Sequence, residues 1–236
     1  MNGYGDDLAY IHDVGFGWFA TGAAPGLLEI LRQHGVDQGH VVDLGCGSGL
    51  WARELVRAGY GVTGIDQSAA MLRLARQRAP AARFNKGSFL SVKLPSCDAL
   101  TSMGECLCYL FDGRNGLEVL GRLFRRVYDA LRPGGVFIFD VIQPGHGSPP
   151  LRGFEGPDWA VVLHVNEEAG ILTRRIVTFR KVGRSFRRRE ETHRVRLYRG
   201  PEVAAKLRDA GFRARTVRSY GDFRLLQRRL GFVARK

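Results

Sequence analysis

Two carboxylates and a run of glycines carry the clearest chemistry in this 236-residue chain. Asp43 lies in a short apolar run, Val41-Val42-Asp43-Leu44, and Gly45-Cys46-Gly47-Ser48-Gly49 follows at once, ahead of a helical pattern. Glycines let the backbone turn sharply and let a ligand approach closely, and the start of a helix leaves N–H groups unpaired. A phosphate loop would close on Gly-Lys-Ser/Thr, whereas Leu50 and Trp51 follow Gly49. A dinucleotide fingerprint would need glycine at position 50, where Leu50 stands. Asp43, ahead of the first glycine, would repel a pyrophosphate and suits an ammonium group. Asp66 comes at the end of the next strand-like run, where an acid meets the two hydroxyls of a ribose. The pattern describes a cationic amino acid joined to a nucleoside without phosphate.

Proton transfer near neutrality calls for an imidazole, and His12 and His193 are the preferred general-base candidates. His12 adjoins Asp13, and His193 lies in Glu190-Glu191-Thr192-His193-Arg194. Either ring is equally at home as a hydrogen-bonded structural histidine. His146 and Glu105 rank behind them. Cys106 and Cys108 are two apart on an expected strand and read as buried thiols, because no further Cys or His stands at zinc spacing; no metal site is expected. The four cysteines read as reduced thiols of a cytoplasmic protein. Arg187-Arg188-Arg189 could grip a phosphate or simply face water.

The elements that must position these residues follow from the apolar pattern. Strand-like runs at 41–44, 62–66, 82–85, 99–103 and 136–141 alternate with helical stripes, among them Leu117, Leu120, Leu123, Phe124, Val127 and Leu131. Ser68 is placed to cap the helix that carries Met71 and Leu72. Strands joined by crossover helices imply an α/β fold, with a parallel sheet covered on both faces. After Ile142 the character changes. Residues 143–157 are rich in Pro and Gly and read as a loop, followed by a three-stranded meander over 159–166, 171–180 and 186–198. A helix over 202–210 and strands over 214–220 and 230–234 close the chain. Ahead of the sheet, Asp6–Ala20 and Ala23–His34 are expected helices.

Composition frames the function. Hydrophobic residues make up 44% and charged residues 25%, enough to bury a full core. No apolar run approaches the roughly 18 residues of a spanning helix. Residues 1–10 carry Asp6 and Asp7 and no basic residue, unlike a secretory or transit leader. The net charge of +13 is carried entirely by residues 143–236, since Lys+Arg and Asp+Glu balance at 14 each over 1–142. Such a face draws nucleic acid, phosphorylated substrates or acidic partners, and is equally the solvated surface of an Arg-rich chain.

Five stretches in order, Val42–Gly49 (VDLGCGSG), Gly64–Gln67 (GIDQ) with Met71, Gly87-Ser88-Phe89, Ala99–Leu110 (ALTSMGECLCYL) and Leu131–Asp140 (LRPGGVFIFD), resemble the ordered motifs of class I SAM-dependent methyltransferases. The resemblance covers about residues 40–142. It implies a Rossmann-like, doubly wound, mostly parallel seven-stranded sheet, with an antiparallel strand insertion after the fifth strand and N-terminal covering helices. It implies one domain: 1–38 as helical cover, 39–142 as S-adenosylmethionine (SAM) core, 143–199 as antiparallel insertion and 200–236 as the end of the sheet.

By the same resemblance, Gly45, Cys46, Gly47 and Gly49 would pass beneath the methionine moiety with Asp43 near its ammonium, and Asp66 would hold the ribose. Gln67 and Met71 would lie against the adenine. Ser88 and Phe89 stand where the family often has an acid and an apolar residue. Met103, Gly104 and Glu105 would mark where donor meets acceptor, and Tyr4 and Tyr10 would line the site from an N-terminal cover. The implied activity is methyl transfer from SAM, leaving S-adenosylhomocysteine, to an O or N atom of a small-molecule acceptor, and the basic C-terminal part leaves open that the acceptor is anionic. An RNA, carrier-bound or phosphorylated substrate is the alternative, and a non-catalytic SAM-binding regulatory module the third reading.

Overall fold

The computed structural model describes residues 4–147, 149 and 151–236; residues 1–3 of the expected N-terminal cover, and 148 and 150 of the expected loop, lie outside it. Among the described residues, two helices come first, α1 (Asp6–Phe16) and α2 (Trp18–Gln33). The alternating core follows: β1 (His40–Leu44), α3 (Leu50–Arg57), β2 (Gly61–Asp66), α4 (Ala69–Arg78), β3 (Arg83–Lys86), β4 (Cys97–Ser102), α5 (Leu117–Ala130) and β5 (Leu131–Ile142). An inserted sheet comprises β6 (Arg152–Gly156), β7 (Trp159–Glu168), β8 (Ile171–Val182) and β9 (Ser185–Arg196). The chain returns through α6 (Gly200–Asp209) and β10 (Arg213–Val217). A small hairpin, β11 (Ser219–Tyr220) with β12 (Phe223–Arg224), precedes β13 (Arg229–Arg235).

The seven-stranded sheet runs β10-β13-β5-β4-β1-β2-β3. Its pairs are parallel except at β13, which is antiparallel to both β5 and β10. Successive strand side chains point to opposite faces, and here both faces are covered. Leu44, Phe137 and Phe139 therefore pack under α5 and α6 with Phe124 and Leu207. Val41, Val62 and Ile138 pack on the other side with Leu27 of α2 and Leu55 of α3. Ser68 caps α4 through a bond from the Met71 N–H to its Oγ, 3.1 Å.

Three expectations needed correction. Residues 143–157 are not all loop: Arg152–Gly156 forms β6, making the insertion four-stranded in the order β6-β7-β8-β9. Its Gly153 and Gly156 mask the strand pattern, which pairing with β7 supplies. Cys106 and Cys108 do not share a strand face; Cys106–Cys108 is a single 3-10 turn after β4. The first two helices break at Gly17 rather than near Gly22, with a 58° bend. A Cβ at Gly17 would sit 2.6 Å from the Asp13 carbonyl oxygen, so only glycine turns the corner there.

Helix α1 is wedged between the inserted sheet and the core. Leu8 and Ile11 pack on Trp159, Val161 and Ile176, while Ala9 packs on Ala70 and Met71 of α4. The two sides are also tied ionically. Asp7 accepts from Arg187 Nε at 2.7 Å, and Asp13 pairs with Arg78 at 2.7 Å. Ser48 of the glycine loop donates to Asp13 at 2.5 Å.

Candidate functional site

A cavity of about 770 Å³ opens at the carboxyl ends of β1, β2 and β4, beneath α1 and the inner face of the inserted sheet. That is where open α/β sheets hold ligands. Its two ends differ in chemistry.

At one end the glycine loop turns through three left-handed residues, Gly45 (φ 72°), Gly47 (φ 53°) and Gly49 (φ 76°). A Cβ at Gly45 would stand 2.6 Å from Cys106 Sγ, whereas one at Gly47 would meet no protein atom within 4 Å. Gly47 thus faces open space, as a cradle for a ligand backbone requires. Its N–H donates to Asp66 Oδ2 at 2.9 Å, and the Ser68 N–H donates to Asp66 Oδ1 at 2.8 Å. A carboxylate offers about four lone-pair sites, so Asp66, which the Gln67 N–H also approaches, retains capacity for a ligand hydroxyl. Burial pushes the Asp66 carboxyl above its ordinary range.

Asp43 is 3% exposed and accepts from Thr101 Oγ1 at 2.8 Å, while Trp51 Nε1 donates to that same hydroxyl at 3.1 Å. Burial, with Asp66 adding to it, raises Asp43 to about 7 against the bond from Thr101. A buried acid held so high lacks a cation. Gln67, Met71, Cys46 and Phe89 line the same end. The residues present fit SAM: an acid short of a cation, a second acid with an unspent lone pair, and a bare glycine between them.

The other end is built by β4, β8, β9 and β13. Glu105, in a left-handed conformation (φ 59°), follows Met103 and Gly104 at the end of β4, and all three line the cavity. Asp140 on β5 shapes this turn, accepting the N–H groups of Gly104 at 2.7 Å and Glu105 at 2.9 Å. Glu105 is clamped between Arg174 of β8 and Arg229 of β13, the latter at 3.3 Å. Burial opposes its charge, but the two guanidinium groups prevail and hold it at about 2. Tyr4 and Tyr109 share a hydroxyl hydrogen bond of 3.0 Å.

His193 on β9 pairs in register with Arg174, so both side chains share the inner face. Its Nε2 lies 3.0 Å from Glu191 Oε2, and its buried Nδ1 has no partner among the described residues. His12 also lines the cavity; burial outweighs nearby Asp13 and lowers it to about 4, so the ring is neutral at pH 7. Val161, Leu163, Val165, Leu172 and Ile176 form the apolar wall.

Tyr4 lines the cavity, but three other expected residues do not. Gly49 turns against α4, where a Cβ would stand 2.9 Å from the Ala75 Cα. Tyr10 turns away and donates to Asp158 at 2.8 Å, with Arg180 stacked 3.8 Å over its ring. Ser88 donates instead to Asp112 at 3.0 Å, leaving its neighbours Gly87 and Phe89 at the wall. Sequence reasoning missed Tyr109, Asp140, Arg174, Glu191 and Arg229. Only Asp140 left a local signal, a lone acid inside the apolar run Val136–Ile142.

Residues 41–135 match the model of a methyltransferase domain family. The malonyl-[acyl-carrier protein] O-methyltransferase of Pectobacterium atrosepticum is 34% identical over 119 residues, half of this chain and 44% of the relative, so the chain spans less than half of that protein's length. The dTDP-3-amino-3,6-dideoxy-alpha-D-glucopyranose N,N-dimethyltransferase of Streptomyces fradiae is 27% identical over 207 residues, covering 83% of this chain and 79% of that one. A solved S-adenosylmethionine-dependent methyltransferase from Clostridium acetobutylicum shares the fold, with a TM-score of 0.82 at 19% identity over 96% of both chains.

Proposed function

We propose that the chain is a class I SAM-dependent methyltransferase, as the methyltransferase-domain match over residues 41–135 supports, and that it methylates an N–H or O–H group of a small-molecule acceptor. The observation that carries this reading is one cavity joining an acidic, glycine-floored end to an end where His193 presents a buried Nδ1 with no partner among the described residues. SAM, when bound, supplies the electrophilic methyl group. The chain's own residues must then hold the acceptor, shed water and remove a proton. His193 is assigned the proton. Its Nε2 faces a carboxylate, which leaves Nδ1 as the accepting atom. His12, held near 4, is too weak a base to share that role at neutral pH and serves as a neutral hydrogen-bonding wall.

The charge pattern narrows the acceptor. Arg174 and Arg229 are already engaged by Glu105 and Asp140, so a carboxylate acceptor would meet a compensated cluster rather than free cations. Glu105 Oε2 is taken up by Arg229 at 3.3 Å, whereas His193 Nδ1 has no hydrogen-bond partner among the described residues and favours an acceptor molecule that brings N–H or O–H groups. The apolar wall from β7 and β8 suits a hydrocarbon body. A phosphorylated or carrier-bound acceptor is favoured by one further observation. Arg152 and Arg228 line the cavity, are exposed at its mouth, and have no ion-pair partner among the described residues. Both lie in the part of the chain that holds the whole basic excess.

The test is release of S-adenosylhomocysteine from SAM with panels of amines, alcohols and carboxylic acids, each with and without a phosphate. Turnover confined to amines or alcohols is expected, lost in His193→Gln with SAM affinity kept. Turnover only on carboxylic acids, or failure of the protein to bind SAM, would overturn the assignment.

A further inference from the structure

Glu191 holds three parts of the molecule with one carboxylate. Oε2 lies 3.0 Å from His193 Nε2, and Oε1 accepts the Gly5 N–H at 3.0 Å, at the entrance to α1. A Cβ on Gly5 would stand 3.0 Å from that oxygen, so the fit is close. Tyr4, one residue earlier, lays its ring edge-on against His193 with centroids 4.9 Å apart, and its carbonyl accepts from Ser68 Oγ at 2.7 Å beside the cofactor end. The residue that opens α1 is therefore fastened to the glycine-loop side by its neighbour and to His193 through Glu191.

We infer that Glu191 is a positioning residue: it fixes the proton of His193 on Nε2, so that Nδ1 faces the cavity as an acceptor, and it does so most firmly when α1 is seated. This rests on the reading of the cavity as a methyl-transfer site, and it adds a link between closing the cofactor end and readying the acceptor end. A neutral imidazole carries one N–H, and the hydrogen bond at one nitrogen decides the state of the other. An ionised carboxylate only accepts, so a ring paired with it must donate from Nε2. The other groups around the ring are Arg174 across the β8–β9 ladder, Tyr4 and His12 from the N-terminal side, and Tyr109 with Phe111 from the turn after β4. Among the described residues none of these is bonded to Nδ1. The carboxylate is thus the group that selects the tautomer.

Two substitutions separate the links. In Glu191→Gln, the amide oxygen can still accept from Gly5, which turns the amide NH2 toward His193 and requires Nε2 to accept. Gly5→Pro deletes the N–H at a backbone φ of −73°, which proline adopts, and its ring carbons push Glu191 Oε1 off the position it holds 3.0 Å from the Gly5 nitrogen. The experiment is nitrogen NMR of imidazole-labelled full chain, free and with S-adenosylhomocysteine, with His193→Gln identifying the signal. The wild type is expected predominantly in the Nε2–H form. Glu191→Gln is expected to move the proton to Nδ1 while changing S-adenosylhomocysteine affinity less than about threefold, below ~0.7 kcal/mol. Gly5→Pro is expected to mix the two forms in the free protein and to recover the Nε2–H form with the ligand. A wild-type ring protonated at Nδ1, or a tautomer unmoved by Glu191→Gln, would overturn the inference. The tautomer is read on the free protein as well, so failure to bind S-adenosylhomocysteine would count against the methyltransferase reading while the Glu191 result still stood.

Discussion

Replacing Asp43 by asparagine should strengthen the fold and weaken cofactor binding together, and pH should control the first effect. Asp43 is 3% exposed, and burial raises its carboxyl from 3.8 to about 7. The unfolded chain therefore loses this proton long before the folded one does, and stability falls as pH rises through the interval between the two values. At about 1.4 kcal/mol per pH unit, the ionised group costs the ligand-free fold about 4 kcal/mol at pH 8 and less than half that at pH 5. Asparagine keeps an oxygen for the Thr101 hydroxyl and cannot ionise. With ~2–4 °C per kcal/mol in a chain of this length, the variant should melt more than about 5 °C above wild type at pH 8, with the gap at least halved at pH 5. Without a charge to meet the ammonium group, SAM affinity should drop by at least about 30-fold, near 2 kcal/mol. Calorimetric melting at the two pH values and titration with SAM measure both effects. A melting gap that does not change with pH, or wild-type affinity in the variant, would refute the reasoning.

Gly47→Ala and Gly45→Ala should part ways. Both sit at positive φ, which costs an alanine about 1–2 kcal/mol. Only the Gly45 methyl collides with protein, so Gly45→Ala should show the larger loss of melting temperature, and Gly47→Ala, whose methyl enters the cavity, a more than tenfold loss of SAM affinity by titration. Arg174→Met should destabilise by about 3 kcal/mol in urea unfolding, because Glu105 loses its principal partner in a buried cluster. Adding Glu105→Gln should recover a substantial part of that loss.

The cofactor end was legible because its grammar is local: an acid on a strand, a left-handed glycine turn and a capped helix occupy consecutive residues from Val41 to Met71. The acceptor end was not, because its chemistry is assembled from afar. Arg174 looks like one more charge on a basic strand until the β8–β9 ladder sets it beside His193 and the turn after β4 brings Glu105 to it. Glu191 is equally ordinary in the run Glu190-Glu191-Thr192-His193. Only the seating of α1 against β9 gives it a backbone N–H to hold. Tyr10 and Ser88 misled for the opposite reason. Each stands at the expected position along the chain, but partners from elsewhere, Asp158 and Asp112, draw its hydroxyl away. The strand at 152–156 escaped because glycines carry no alternation to read.

The wall formed by Val161, Leu163, Val165, Leu172 and Ile176 hangs from strands joined to each other by main-chain bonds that do not depend on side-chain identity. Leu163 and Val165, only half-buried, can be exchanged while the ladder keeps its register, whereas Val161 and Ile176 also seat α1 and Leu172 belongs to the main core. The glycine loop, by contrast, tolerates almost no exchange. On the proposed reading, substitutions at those two positions of the β7–β8 hairpin alter which recipient is held while the glycine loop keeps the same fuel.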